Sequence, residues 1–150
     1  MSILSSANQL SSPPELVHGR ADWDCTLASL SMALKIDYDV LLPHFPQATK
    51  LVNGVTRGIG DEELVRVAIH LGYALVNTKI QVQDDDGEVY STFEDFLKLI
   101  HRQPAMLAVN VPSRHMVYWD GTKILDPWGR VGRITDYMLD EAWIVFKISS

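Results

Sequence analysis

The chain carries a single cysteine, Cys25, within Asp22-Trp23-Asp24-Cys25-Thr26-Leu27-Ala28-Ser29-Leu30. Leu27, Leu30 and Leu34 recur at helical spacing and predict a helix with one apolar stripe, its start capped by Asp22 or Asp24. The thiol then falls in the first helical turn. Unpaired backbone N–H groups and the positive end of the helix dipole favour a thiolate there and can hold an oxyanion. Two neighbouring carboxylates work against the thiolate, and a free cysteine on an apolar helix is often simple core filling. A nucleophilic role therefore depends on partners elsewhere in the chain.

Those partners are legible near the C-terminus. His115 to Trp119 alternates as a strand, with His115, Val117 and Trp119 on one side, and Asp120-Gly121 is a strong hairpin signal. A two-residue loop at Asp120-Gly121 sets Trp119 opposite Thr122 and His115 opposite Asp126. A loop at Gly121-Thr122 sets Asp126 opposite Val117, diagonal to His115 on the same face. Only a three-residue loop separates the two. A helix-terminal Cys, then a strand His about ninety positions on, then an Asp beyond a hairpin is the order of a Cys-His-Asp nucleophilic site.

The elements between must hold these residues in place. Ser5 to Pro14 reads as a loosely ordered arm (1–14), followed by a single domain over 15–150. Ile36 to Phe45 reads as a short helix broken by Pro43 and Pro46, and Gln47 to Gly60 as a mobile loop. Asp61-Glu62-Glu63 opens a helix with Leu64, Val67, Ala68 and Leu71 on one face, ended by Gly72. Tyr73–Thr78 and Ile80–Gln83 read as strands, with a solvated turn at Asp84-Asp85-Asp86-Gly87. Ser91-Thr92-Phe93-Glu94 has the form of a capping box for a helix burying Phe93, Phe96, Leu97 and Ile100. Met106 to Val111 reads as a buried strand, Pro112-Ser113-Arg114 as a turn, and Ala142 to Ile148 as a central strand.

Composition narrows the function. At 150 residues, 47% hydrophobic, the chain suits one well-buried core. A net charge of −6, with 13 Lys and Arg that form no run, argues against a nucleic-acid surface. No zinc spacing is present, and His18, His44, His70 and His101 share no ligand spacing, so no metal or cofactor is expected. Gly54, Gly58 and Gly60 lack the ending of a phosphate loop, and the acidic turn lacks the calcium pattern. Trp23, Trp119, Trp128 and Trp143 read as core. No secretory signal or run of about 18 apolar residues appears, so a soluble, cytoplasmic protein without a membrane partner is expected.

Taken together, Asp24-Cys25-x-x-Ala28-x-Leu30-x-Met32, Asp61-Glu62-Glu63-Leu64 through Leu71-Gly72, Pro104 through Arg114-His115-Met116-Val117, and Leu125-Asp126-Pro127-Trp128 resemble the C39-like family of papain-like cysteine peptidases. The resemblance spans roughly 22–129. It implies an α+β papain-like fold, with N-terminal helices packed on a C-terminal antiparallel sheet. It also implies Cys25 as nucleophile, His115 as acid and base, and Asp126 as the group that orients the imidazole, with Pro127 and Trp128 shielding that pair. Gly19, Cys25 and Trp128 are the residues expected on the oxyanion and substrate side. The chain departs from the family at two positions. The family usually has a glutamine oxyanion donor six positions before the cysteine, where this chain has Gly19, and commonly has glycine after the cysteine, where this chain has Thr26. His18, Arg20 or a backbone N–H near Gly19 are the conceivable substitutes. The readings that follow are a hydrolase of peptide or isopeptide-like amides, a papain-fold protein that binds a peptide or protein partner without efficient catalysis, and an acyl or amide transferase. Family members often front ATP-driven peptide exporters; this chain, lacking those segments, would act alone or with a separate partner.

Overall fold

The computed structural model describes residues 16–78, 82–83, 86, 89–90, 102–110 and 114–148. The expected N-terminal arm, the expected helix after Ser91 and the first two residues of the expected turn at Pro112-Ser113-Arg114 lie outside the described residues, while Arg114 opens a strand and is not part of a turn. Helix α1 spans Cys25–Leu34 and is followed by α2 (Tyr38–Leu41), which runs into a 3-10 turn at Leu42–His44. Pro43 sits in the first turn of that 3-10 segment, where its missing N–H is no loss. Strands β1 (Leu51–Val52) and β2 (Val55–Thr56) form a small hairpin before α3 (Asp61–His70). Residues 47–60 are therefore not a featureless loop. Asn53 and Gly54 both adopt positive φ, 53° and 81°, the conformation a tight two-residue hairpin needs.

The main sheet is antiparallel, with strand order β3-β10-β6-β7-β8-β9. Its strands are β3 (Tyr73–Thr78), β6 (Ala105–Asn110), β7 (Arg114–Trp119), β8 (Ile124–Asp126), β9 (Arg130–Gly132) and β10 (Leu139–Lys147). A separate pair, β4 (Val82–Gln83) and β5 (Val89–Tyr90), forms a second small hairpin. The expected central position of the last apolar strand holds: β10 lies between β3 and β6.

Both faces of the sheet are covered. Met106, Ala108, Met116, Tyr118, Leu125 and Trp143 face a core shared with α1, and Leu107, Val109, Val117, Trp119, Ile124 and Ile144 belong to a second core closed by Ile134 and Tyr137. Alternation along β7 thus separates two cores and not core from solvent. Helix α1 is also more deeply embedded than one apolar stripe predicts, since every residue from Leu27 to Leu34 is buried. Burying each leucine contributes roughly 1.5–3 kcal/mol. Its two serines reach this depth because their hydroxyls are satisfied: Ser29 donates to the Met116 carbonyl at 3.1 Å and Ser31 to the Ile36 carbonyl at 2.6 Å. A helix so enclosed holds its N-terminus in a fixed place against β7.

Candidate active site

Cys25 is the first residue of α1, and its N-cap is Asp24. The expected side-chain cap is absent. The fully buried Asp24 carboxylate turns backwards, its Oδ2 accepting the Arg20 N–H at 2.7 Å and the Tyr38 hydroxyl at 2.6 Å. Burial and this hydrogen bond hold the Tyr38 phenol above its usual pKa, so it remains a donor. Asp24 therefore ties α2 and the incoming loop to the start of α1, and the N–H groups of the first helical turn are left without a carboxylate acceptor from it.

The β7–β8 hairpin has Tyr118 opposite Leu125 and Trp119 opposite Ile124. This is the register of the Gly121-Thr122 loop; the Asp120-Gly121 alternative does not form. Asp120 explains the choice. Its Oδ1 accepts the N–H groups of Thr122 and Lys123 at 2.8 and 2.9 Å, which places it at the first position of the turn and not inside it. Extending the register puts Asp126 level with Val117, diagonal to His115. The two side chains meet, His115 Nε2 to Asp126 Oδ1 at 2.7 Å, with side-chain exposures of 1% and 4%.

The Asp126 carboxylate has no spare capacity for disorder. Oδ1 also accepts the Trp128 N–H at 2.9 Å, and Oδ2 accepts the Tyr137 hydroxyl at 2.7 Å. Burial raises its pKa, but the bonds from His115, Trp128 and Tyr137 outweigh this and hold it below the usual carboxylate range. The indole of Trp128 stacks on the His115 ring, centroids 3.6 Å apart and planes within 16°, while remaining 58% exposed. It forms a lid on the His–Asp pair that solvent still reaches on its outer side.

With Nε2 engaged by Asp126, Nδ1 is the nitrogen left to face the Cys25 sulfur, which lies in the same cleft as His115, Met116 and Thr26. Burial pushes the thiol up, yet His115 first, and then Met116 and Thr26, hold its pKa below the ordinary value. Burial likewise works against an imidazolium, but Asp126 and Cys25 carry His115 up to about 9. The two shifts run in the direction that favours the thiolate–imidazolium pair.

Gly19 is expected on the oxyanion side. Its N–H is already committed to the Pro127 carbonyl at 2.8 Å, and the Arg20 N–H is committed to Asp24. The Arg20 guanidinium lies over the Tyr38 ring at 3.9 Å and pairs with Asp39 at 2.7 Å, and His18 is placed against Gly129. Gly19 is instead a point of close approach: a Cβ there would lie 2.9 Å from Asp24 Oδ1. Gly19→Ala should therefore cost about 1–3 kcal/mol of stability by crowding the buried carboxylate, measured as a lowered denaturation midpoint. An unchanged midpoint would show that the loop simply moves aside.

The dyad opens on a cleft of about 430 Å³ lined by Cys25, Thr26, Ile59, Ala108, His115 and Met116, among others. Among the described residues no group of three or more His, Cys, Asp or Glu is placed to hold a metal ion, and no helix is long and apolar enough to cross a membrane. No family model and no curated protein matches the sequence. The structure, however, is similar to that of a double glycine motif protease from an AMS/PCAT transporter, solved in complex with the leader peptide. The two superpose with a TM-score of 0.61 at 17% identity, over 90% of this chain and 91% of that one. The chain shares its fold with that protease. At this identity the likeness is one of fold, an α+β domain with an antiparallel sheet that is consistent with a papain-like architecture.

Two contributors had no sequence signal. Tyr137 lies eleven residues beyond Asp126 and reaches it only because the 3-10 turn at Ile134–Asp136 folds back. The pairing of Tyr38 with Asp24 spans 14 residues and two helices.

Proposed function

We propose that this protein is a cysteine-dependent hydrolase that cleaves a peptide or isopeptide-like amide through an acyl-thioester on Cys25. The observation that carries the reading is the convergence of three side chains distant in sequence: Cys25 and His115 line one cleft, and His115 Nε2 is bonded to Asp126 Oδ1 at 2.7 Å. In this reading the thiolate adds to the carbonyl carbon, the carbonyl π pair moves onto oxygen, and the tetrahedral adduct collapses by expelling the amine. The imidazolium gives its proton to that amine. Water then attacks the thioester with neutral His115 as base, releasing the acid and restoring the ion pair. Asp126 keeps Nε2 protonated and so keeps Nδ1 facing sulfur. The neighbour's leader-peptide complex favours a peptide substrate, and the Thr26 side chain at the cleft favours small residues at the scissile bond.

A second reading is a papain-fold protein that binds a peptide without cleaving it efficiently. It is favoured by one observation, the commitment of the Gly19 N–H to Pro127, which removes the donor expected there. The pH dependence separates the two. Iodoacetamide should label Cys25 with an apparent pKa below that of a free thiol, and labelling should stay high above pH 9, where the thiolate persists. Cleavage of small-residue fluorogenic peptides should instead fall as pH rises through about 9, because His115 then has no proton for the leaving amine. Slow labelling that rises only above the ordinary thiol pKa sinks the hydrolase. Fast labelling without cleavage of any peptide supports the binding protein.

A further inference from the structure

An attacking thiolate transfers its charge to the carbonyl oxygen, and that oxygen needs hydrogen-bond donors. The N–H groups of Gly19 and Arg20 are taken, and the Arg20 guanidinium is bound to Asp39. Of the side chains that line the cleft, Ile59, Ala108 and Met116 are apolar and Asp61 is an acceptor. Among the described residues that line the cleft, Cys25 aside, His115 and Thr26 are the side chains that carry a donor, and His115 is occupied by proton transfer. Thr26 is half-buried, follows Cys25 directly in the chain and lines the same cleft, where its side chain favours the Cys25 thiolate.

We infer that the Thr26 hydroxyl is the side-chain donor to the oxyanion that forms when Cys25 adds to a carbonyl. The inference rests on the hydrolase reading and deepens it. In the adduct the carbonyl oxygen is two bonds from sulfur, so a hydroxyl on the adjoining residue that lines the same cleft is placed to donate to that oxygen. As the S–C bond forms, sulfur loses its negative charge and oxygen gains it, and the hydroxyl donates to the oxygen that now holds the charge. The free N–H groups of the first turn of α1 supply the second donor. When the adduct collapses, the oxygen pair re-forms the carbonyl and the hydroxyl is released. No proton leaves Thr26 at any step.

The test compares two reactions of the same sulfur, one that makes an oxyanion and one that does not. N-Acetylglycinal adds to a thiol to give a hemithioacetal with an oxygen at that position, whereas iodoacetamide alkylates by direct displacement. Thr26→Val should weaken aldehyde binding and peptide cleavage together by about 100-fold. It should leave alkylation at neutral pH within roughly tenfold, since His115 and Met116 still favour the thiolate. Thr26→Ser should keep aldehyde binding and alkylation near wild type. Equal aldehyde affinity for wild type and Thr26→Val overturns the inference, as does a wild-type protein that alkylates readily but forms no aldehyde adduct. Alkylation that fails in the wild-type protein overturns the hydrolase reading instead, and this inference with it.

Discussion

Replacing His115 with alanine is expected to lower peptide cleavage by about 10⁴-fold or more, the scale seen when one member of a nucleophile–base unit is lost. Labelling supplies a second readout that does not need a substrate. The largest single influence on the Cys25 thiol is burial, which raises its pKa; the imidazole is first among the groups that reverse this. Without it the thiol should titrate above the ordinary thiol value. Iodoacetamide labelling at pH 6 should then fall at least about tenfold, with the midpoint of the pH profile moved upward by more than a unit. Because alanine also removes one of the two partners that lie 2.7 Å from the Asp126 carboxylate, loss of fold has to be separated from loss of base. His115→Gln does so, since its amide can still donate toward Asp126 but cannot shuttle a proton. A labelling profile that stays at its wild-type position in both variants would show that the imidazole does not govern the sulfur.

The catalytic-looking trio was legible in the sequence because each member sits at a position that secondary structure alone restricts. A cysteine at a predicted helix start and a histidine and an aspartate on one face of a predicted hairpin can be placed without knowing the tertiary fold. The ambiguity in the hairpin was a two-residue register choice, and both choices kept His115 and Asp126 on the same side, so the error did not propagate. What chose between them was the local competition between a loop centred on Asp120-Gly121 and a side chain at Asp120 able to cap its own turn. Asn53-Gly54 carried a hairpin signal of the same kind between Leu51-Val52 and Val55-Thr56, and it was hidden by the two further glycines nearby and by strands of only two residues each.

What the sequence could not express were pairings decided by packing. The role of Asp24 shows this most clearly: an aspartate before a helix reads as a cap, but Tyr38 and the Arg20 N–H compete for the carboxylate and win. Depth also misled. Ser29 and Ser31 look like the polar face of an amphipathic helix, yet each is buried because a specific carbonyl waits for its hydroxyl. Gly19 reads as a missing side chain at the site, whereas the structure gives the position a backbone bond to Pro127 and a close approach to Asp24. The difference matters for repair: introducing glutamine at 19 would strike the Asp24 carboxylate before it could reach the cleft.

Asp126 is where stability and reactivity meet, and two substitutions there should come apart. Asp126→Ala strands three buried donors at once, the His115 Nε2–H, the Trp128 N–H and the Tyr137 hydroxyl. Breaking a buried pair of this kind costs about 3–5 kcal/mol, so thermal unfolding should move down by roughly 10 °C, and cleavage should fall by about 10³–10⁴-fold. Asp126→Asn removes the charge but little of the geometry, since its carbonyl can face His115 and Trp128 and its amide the Tyr137 oxygen. The sign of the pH effect follows from the shifts. The pair stabilises the fold fully above the unfolded aspartate value near 4 and below the unfolded histidine value near 6.5. That contribution is lost as pH rises through about 9, and also as pH falls through the lowered Asp126 value. In Asp126→Asn, burial, already the largest single influence on His115, is opposed by Cys25 alone and draws the imidazole pKa down from about 9. The alkaline limb of peptide cleavage should move with it by at least a unit, in a protein that still unfolds cooperatively. A limb that stays near 9 in the asparagine variant would mean that Cys25, and not Asp126, holds the proton on His115.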